Sequence, residues 1–151
     1  MTIINHECYI SLEVAKLLKK AGFDWECETC YIGKSGRPYK YHKFFNWNMP
    51  RKYFEKYGSD NLFHAFISQK KTNSFISAPT LEVAQRWLRE VKGLDIIVDR
   101  ILPIHEMKYS YEYAVIASDG VVEAADCYFE EYEESQEAGI KKALEIILSL
   151  N

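Results

Sequence analysis

A chain of 151 residues, 48% apolar and 27% charged, can bury a core without disulfides or metals, and only 7 Gly and 4 Pro exclude collagen-like and low-complexity classes. No uncharged apolar run approaches the ~18 residues of a membrane span, and the opening MTIINHECYISLEVAKLL lacks the basic n-region of a signal peptide. With no secretory signal, Cys8, Cys27, Cys30 and Cys127 read as reduced thiols, so the expectation is a cytoplasmic protein with no membrane role, a single α+β domain over 1–151.

The net charge of −3 hides an asymmetry. Between Lys34 and Tyr57 the bases Lys34, Arg37, Lys40, Lys43, Arg51, Lys52 and Lys56 face Glu55 alone. Between Glu112 and Glu137 there are nine acids and no Lys or Arg. Two solvated faces explain this, and such a chain also admits a homodimer in which unlike faces meet.

In chain order, Ser11 caps a helix whose apolar positions Val14, Leu17, Leu18 and Ala21 keep the helical period, and Gly22 ends it. Phe23–Ile32 reads as a strand, Gly33, Gly36 and Pro38 as a turn, and Tyr39–Trp47 as a second, aromatic strand. Asn48-Met49-Pro50 starts a short helix through Tyr57, ended by Gly58. Leu62–Ser68 is an apolar element of undetermined type, and Gln69–Ser74 a polar loop. Thr80 caps a second helix with Val83, Ala84, Trp87, Leu88 and Val91 inward, ended by Gly93. Asp95–Leu102 is a β-branched strand. Lys108–Ile116 alternates, with Tyr109, Tyr111, Tyr113 and Val115 on one face, and Asp119-Gly120 turns the chain into Val121–Tyr128. A last helix over Tyr132–Leu148 buries Ile140, Ala143, Leu144, Ile147 and Leu148.

The order SLEVAK…AGFD at Ser11–Asp24 parallels TLEVAQ…KGLD at Thr80–Asp95, each followed by a hairpin with a Tyr-rich second strand. The parallel suggests two degenerate α-β-β(-β-α) halves, with repeat units at 9–48 and 76–118. The predicted fold is α+β: a mixed, mainly antiparallel sheet with helices packed on one face.

Candidate chemistry begins at ECETC, where Cys27 and Cys30 form half of a zinc-ligand pattern. His42 stands at nearly the right distance for a third ligand, but Phe45, Asn46 and Trp47 occupy the place of a second His. A redox dithiol would need the first Cys at a helix N-terminus and without acidic neighbours, whereas Glu26 and Glu28 flank Cys27. Strand alternation puts Cys27 on one face with Trp25, Thr29 and Tyr31, and Cys30 on the other. Gly33-Lys34-Ser35 resembles the end of a phosphate loop, but Glu28 stands where its first Gly is needed and Pro38 forbids the following helix. His6, His42, His64 and His105 belong to no acid–base or nucleophile pattern.

The basic and aromatic stretch 34–57 is the main lead. Lys34, Arg37, Lys40, Lys43, Arg51 and Lys52 can neutralise phosphates, and Tyr39, Tyr41, Phe44, Phe45 and Trp47 can stack on unpaired bases, with Tyr41 and Trp47 the leading candidates. Alternation divides Tyr39, Tyr41, Lys43 and Phe45 from Lys40, His42, Phe44 and Asn46, so one aromatic row belongs to a core. The order of the second half is also that of a double-stranded-RNA-binding domain, but Glu130-Glu131-Tyr132-Glu133-Glu134 replaces the bases such a domain has at its last helix.

Two segments, YISLEVAKLLKKAGFDWEC (Tyr9–Cys27) and ISAPTLEVAQRWLREVKGLDIIV (Ile76–Val98), resemble stretches of small uncharacterised proteins of Bacteroidetes phages, prophages and mobile elements. YEESQEAGIKKALEII (Tyr132–Ile147) is similar to the endings of that group. The resemblance departs at Glu131, where a Ser or Thr cap is expected. It implies an accessory role and carries over no site residues. The expectation from sequence is a non-enzymatic binding or adaptor protein with no cofactor. The alternatives are a single-stranded nucleic-acid binder using 34–57 and a zinc protein using Cys27, Cys30 and His42.

Overall fold

Ser11 and Thr80 start their helices in the same way. In the computed structural model, which describes residues 8–56, 66–68, 74–101 and 110–150 apart from the side chains of His42 and Glu55, both caps are extended. Their φ/ψ values are −66/163° and −65/161°, and each hydroxyl accepts the N–H three residues on, Val14 or Val83, at 3.3 Å. Such a bond satisfies one of the N–H groups that a helix start leaves without a partner. The described residues gather into two compact units, Ser11–Pro79 and Thr80–Asn151 with the described part of Met1–Ile10.

The first unit contains α1 (Leu12–Lys20), β1 (Cys27–Ile32), β2 (Tyr39–Phe45), α2 (Arg51–Glu55) and β3 (Phe75–Ser77), with a helical turn at 66–68. Its sheet has the order β2-β1-β3 and every pairing is antiparallel. Phe75–Ser77 is too short to show a period in the sequence; Ile76 pairs Tyr31 and fixes β3 against β1. α1 buries Val14, Ala15 and Leu18, packs against β3, and its Lys19 Nζ donates to the Phe75 carbonyl at 3.1 Å. α2 is shorter than the sequence suggests, and Tyr57, Gly58 and most of 62–73 lie outside the described residues.

The second unit contains α3 (Leu81–Trp87), a π-helical turn (Leu88–Lys92), β4 (Asp95–Ile101), β5 (Ser110–Ala117), β6 (Gly120–Ala124) and α4 (Tyr132–Ser149). Its sheet runs β4-β5-β6, again antiparallel. The α+β architecture therefore stands, but in place of one mixed sheet there are two three-stranded antiparallel ones. The reason is local: β3 returns to the outer side of β1 and completes a sheet within the first unit.

The two opening helices differ in length. Gly22 follows its cap by eleven positions and Gly93 by thirteen, and both glycines hold positive φ, 95° and 70°. The second helix takes up its extra residues in the π turn, whose wider winding shifts the apolar stripe. Val91, inward by the 3.6-residue period, is consequently 50% exposed.

The Asp119-Gly120 signal gives a hairpin in which Ser118 and Asp119 form the turn and Gly120, at φ 131°, begins β6 opposite Ala117. Along β5, Tyr113 and Val115 are buried as the alternation requires. α4 covers this face with Ile140, Ala143 and Leu144 fully buried, while Ile147 and Leu148 are half-buried. Its Gln136 donates to Gln85 Oε1 at 2.8 Å, and Gln85 Nε2 donates to the Ile96 carbonyl at 2.7 Å, linking α4, α3 and β4.

Gly139 sets how closely α4 approaches the sheet. A Cβ there would lie 2.6 Å from the Ile96 Cγ2 methyl and 3.2 Å from Tyr113 Cβ. Gly139→Ala gains the ~1 kcal/mol of helix propensity that alanine offers, but overpacking against a strand typically costs about 1–3 kcal/mol. The expected result is a net loss of stability in a denaturant titration, and Gly139→Val should lose more.

Candidate nucleic-acid interface

The geometry of β2 follows from one defect in its pairing. Cys27 faces Phe45, Thr29 faces Lys40 and Cys30 faces Tyr39, so Glu28 alone stands opposite the four residues Tyr41 to Phe44. A bulge of this size breaks the two-residue alternation and redirects side chains. Tyr41 and Phe45 both turn inward, 6% and 3% exposed, while Lys43 and Phe44 between them are exposed, Phe44 to 58%. The regular split into two faces expected for β2 does not hold here.

The inward residues form an aromatic core around Trp47, which is 0% exposed. Its ring meets Phe45 at 5.3 Å, Phe54 at 5.7 Å, Tyr41 at 5.9 Å and Phe75 at 6.2 Å between centroids. Its indole Nε1 donates to the Cys27 carbonyl at 2.7 Å, and its backbone N–H donates to Ser77 Oγ at 3.1 Å. Trp47 thus ends β2 beyond the strand and ties the segment to β1 and β3. Tyr41 and Trp47, expected to stack on bases, are corrected to core residues because their rings are fully packed by other aromatics.

Of the expected cations, Lys34, Arg37, Lys40, Lys43 and Lys52 are exposed. Lys40 forms an ion pair with Glu28 at 3.0 Å, which offsets part of its charge. Arg51 is only half-exposed and donates from Nη2 to the Ile67 carbonyl at 3.0 Å, so it braces α2 against the helical turn at 66–68. The aromatic rings open to solvent on β2 are Tyr39, 42% exposed and stacked on Phe66 at 5.1 Å, and Phe44. Both belong to the aromatics expected to stack, although a regular strand period would place Tyr39 in the core row. Of the expected set, Lys34, Arg37, Tyr39, Lys43 and Phe44 therefore form the exposed surface of the hairpin.

Charge follows the division into units. Ser11–Pro79 has twelve Lys and Arg against six Asp and Glu, a net of +6, and the rest of the chain has seven against sixteen, a net of −9. A pI near 5.8 is thus the sum of a basic unit and an acidic one.

Cys27 and Cys30 share the aromatic core rather than opposite faces, since the register shift beside Cys27 removes the alternation. Burial pushes the Cys27 thiol up from its ordinary pKa, against hydrogen bonds with Ser77, Thr29 and Ala78 that lower it, and its Sγ donates to the Thr29 carbonyl at 3.3 Å. A protonated thiol in this setting is a poor metal ligand. The His42 side chain, third in the zinc pattern, lies outside the described residues. In the second unit Cys8 is also raised, first by desolvation and then by Glu133, Glu82, Glu131 and Glu137.

Two outcomes follow. Native alkylation read by mass spectrometry should label the exposed Cys127 first, Cys8 slowly, and Cys27 and Cys30 only after unfolding; rapid native labelling of Cys27 contradicts its burial. Trp47→Phe keeps most of the ring but leaves the buried Cys27 carbonyl without its donor, and should cost about 1–3 kcal/mol in a denaturant titration. Neither a protein-family model, nor a curated protein, nor a solved structure matches this chain.

Proposed function

We propose that this chain is a small binding protein rather than an enzyme, and that the β1–β2 hairpin engages single-stranded nucleic acid. The observation that carries the reading is the bulge in β2. It turns Lys43 and Phe44 outward on the strand that also exposes Tyr39, in a unit of net charge +6. Cations draw the phosphate backbone and release its counterions, and open rings offer stacking surfaces that tolerate any base. Duplex DNA hides its base faces, so a stacking site of this kind prefers unpaired strands.

Binding is favoured over catalysis by the distribution of perturbed groups. Among the described residues Cys8, Lys19, Cys27 and Tyr113 are shifted chiefly by desolvation, and none of them perturbs another. A catalytic centre brings such groups together. The resemblance of Tyr9–Cys27 and Ile76–Val98 to proteins of phages and mobile elements supports an accessory role in the cytoplasm of a bacterial host.

Fluorescence anisotropy with labelled single-stranded oligonucleotides tests the reading. With about three phosphates neutralised, by Lys34, Arg37 and Lys43, log K should fall against log salt with a slope near −2, from about −0.7 per contact. Phe44→Ala should weaken binding by about 1–3 kcal/mol. The triple variant Lys34→Glu, Arg37→Glu, Lys43→Glu should bind no strand, and wild-type protein that binds none at low salt overturns the assignment.

A further inference from the structure

Among the described residues β6 is the outermost strand of its sheet, hydrogen-bonded to β5, and all five of its residues are exposed. Its sequence GVVEA contains neither Lys nor Pro, the residues that commonly blunt an edge against pairing. Val121 and Val122 are 65% and 44% exposed. Such an edge offers main-chain donors and acceptors together with an apolar strip. β6 carries the exposed carboxylate of Glu123, and Asp119 just before it and Asp126, Glu130 and Glu131 after it in the chain are exposed as well. An uncharged strand laid here would desolvate those carboxylates without a counter-ion, which is costly. The fitting occupant is an extended, cationic segment that also carries apolar surface.

This chain supplies one. The β1–β2 hairpin exposes Lys34, Arg37 and Lys43 with Tyr39 and Phe44, and belongs to the unit of net +6, whereas β6 belongs to the remainder of net −9. We infer that β6 is a docking edge for the β1–β2 hairpin of a second copy. The carboxylates meet the cations, and the two valines cover Tyr39 and Phe44. Each copy carries one half of each contact, so the association is head to tail and extends beyond a dimer unless a ring closes. The inference shares the hairpin with the nucleic-acid reading but does not require it.

Light scattering without oligonucleotide tests it. The weight-average mass of wild-type protein should rise with concentration to at least about twice the 17.7 kDa monomer at low salt, and return to monomer as salt increases from about 0.01 M to about 1 M, where the screening length falls from about 30 Å to about 3 Å. An acidic-edge variant (Glu123→Gln, Asp126→Asn) and a hairpin variant (Lys34→Gln, Arg37→Gln, Lys43→Gln) should each stay monomeric with wild-type circular dichroism. Mixed, they should form a 1:1 heterodimer that grows no further, because one intact edge meets one intact hairpin. Monomeric wild type at low salt, or variants that fail to pair when mixed, overturns the inference. Oligonucleotide binding by wild type is read separately, so either reading can fail alone.

Discussion

The bond from the Trp47 indole to the Cys27 carbonyl is the constraint around which the first unit is organised. It places the largest fully buried ring of the unit at the end of β2, which reaches that point with more residues than β1 can match. The surplus becomes the bulge. Tyr41 and Phe45 then pack on the same ring, and Lys43 and Phe44 have nowhere to go but outward. The candidate interface is therefore a by-product of core packing: the same tryptophan that closes the interior determines which side chains face solvent.

The second unit works by a different rule. Its sheet is regular over β4 and β5, where Asp95 to Ile101 pair in unbroken register with Ile116 to Ser110. Close approach of helix to sheet, permitted at Gly139, takes the place of an aromatic cluster. The unit with the aromatic cluster is basic, and the other, whose core is mainly aliphatic beside Trp87 and Tyr113, is acidic.

Features that depend on neighbouring residues were legible in sequence. The Ser11 and Thr80 caps, the left-handed Gly22 and Gly93, the Asp119-Gly120 turn and the inward row Tyr113 and Val115 each follow from a few adjacent residues. Most of the misreadings involve a partner distant in sequence. β2 loses its alternation beside a bond from Trp47 to Cys27, twenty positions away, and β3 is defined by its pairing with Cys30 to Ile32 of β1. Val91 turned outward because a π turn resets the helical phase, which periodicity alone does not reveal. The site was half legible for this reason: its cations could be counted, but which rings were open depended on the bulge.

Asn48 raises a different matter, the chemical lifetime of the fold. Its amide nitrogen donates to the Phe23 carbonyl at 2.9 Å while its amide oxygen accepts the Ser77 N–H at 3.0 Å, so one side chain satisfies main-chain groups from two segments. Hydrolytic loss of the amide would exchange that donor for a second acceptor and set a carboxylate against the Phe23 carbonyl. The two bonds also hold the side chain away from the backbone attack through which asparagines age. While the fold is intact it protects this residue, and each excursion that releases Asn48 exposes the protein to a covalent change that makes the next excursion easier.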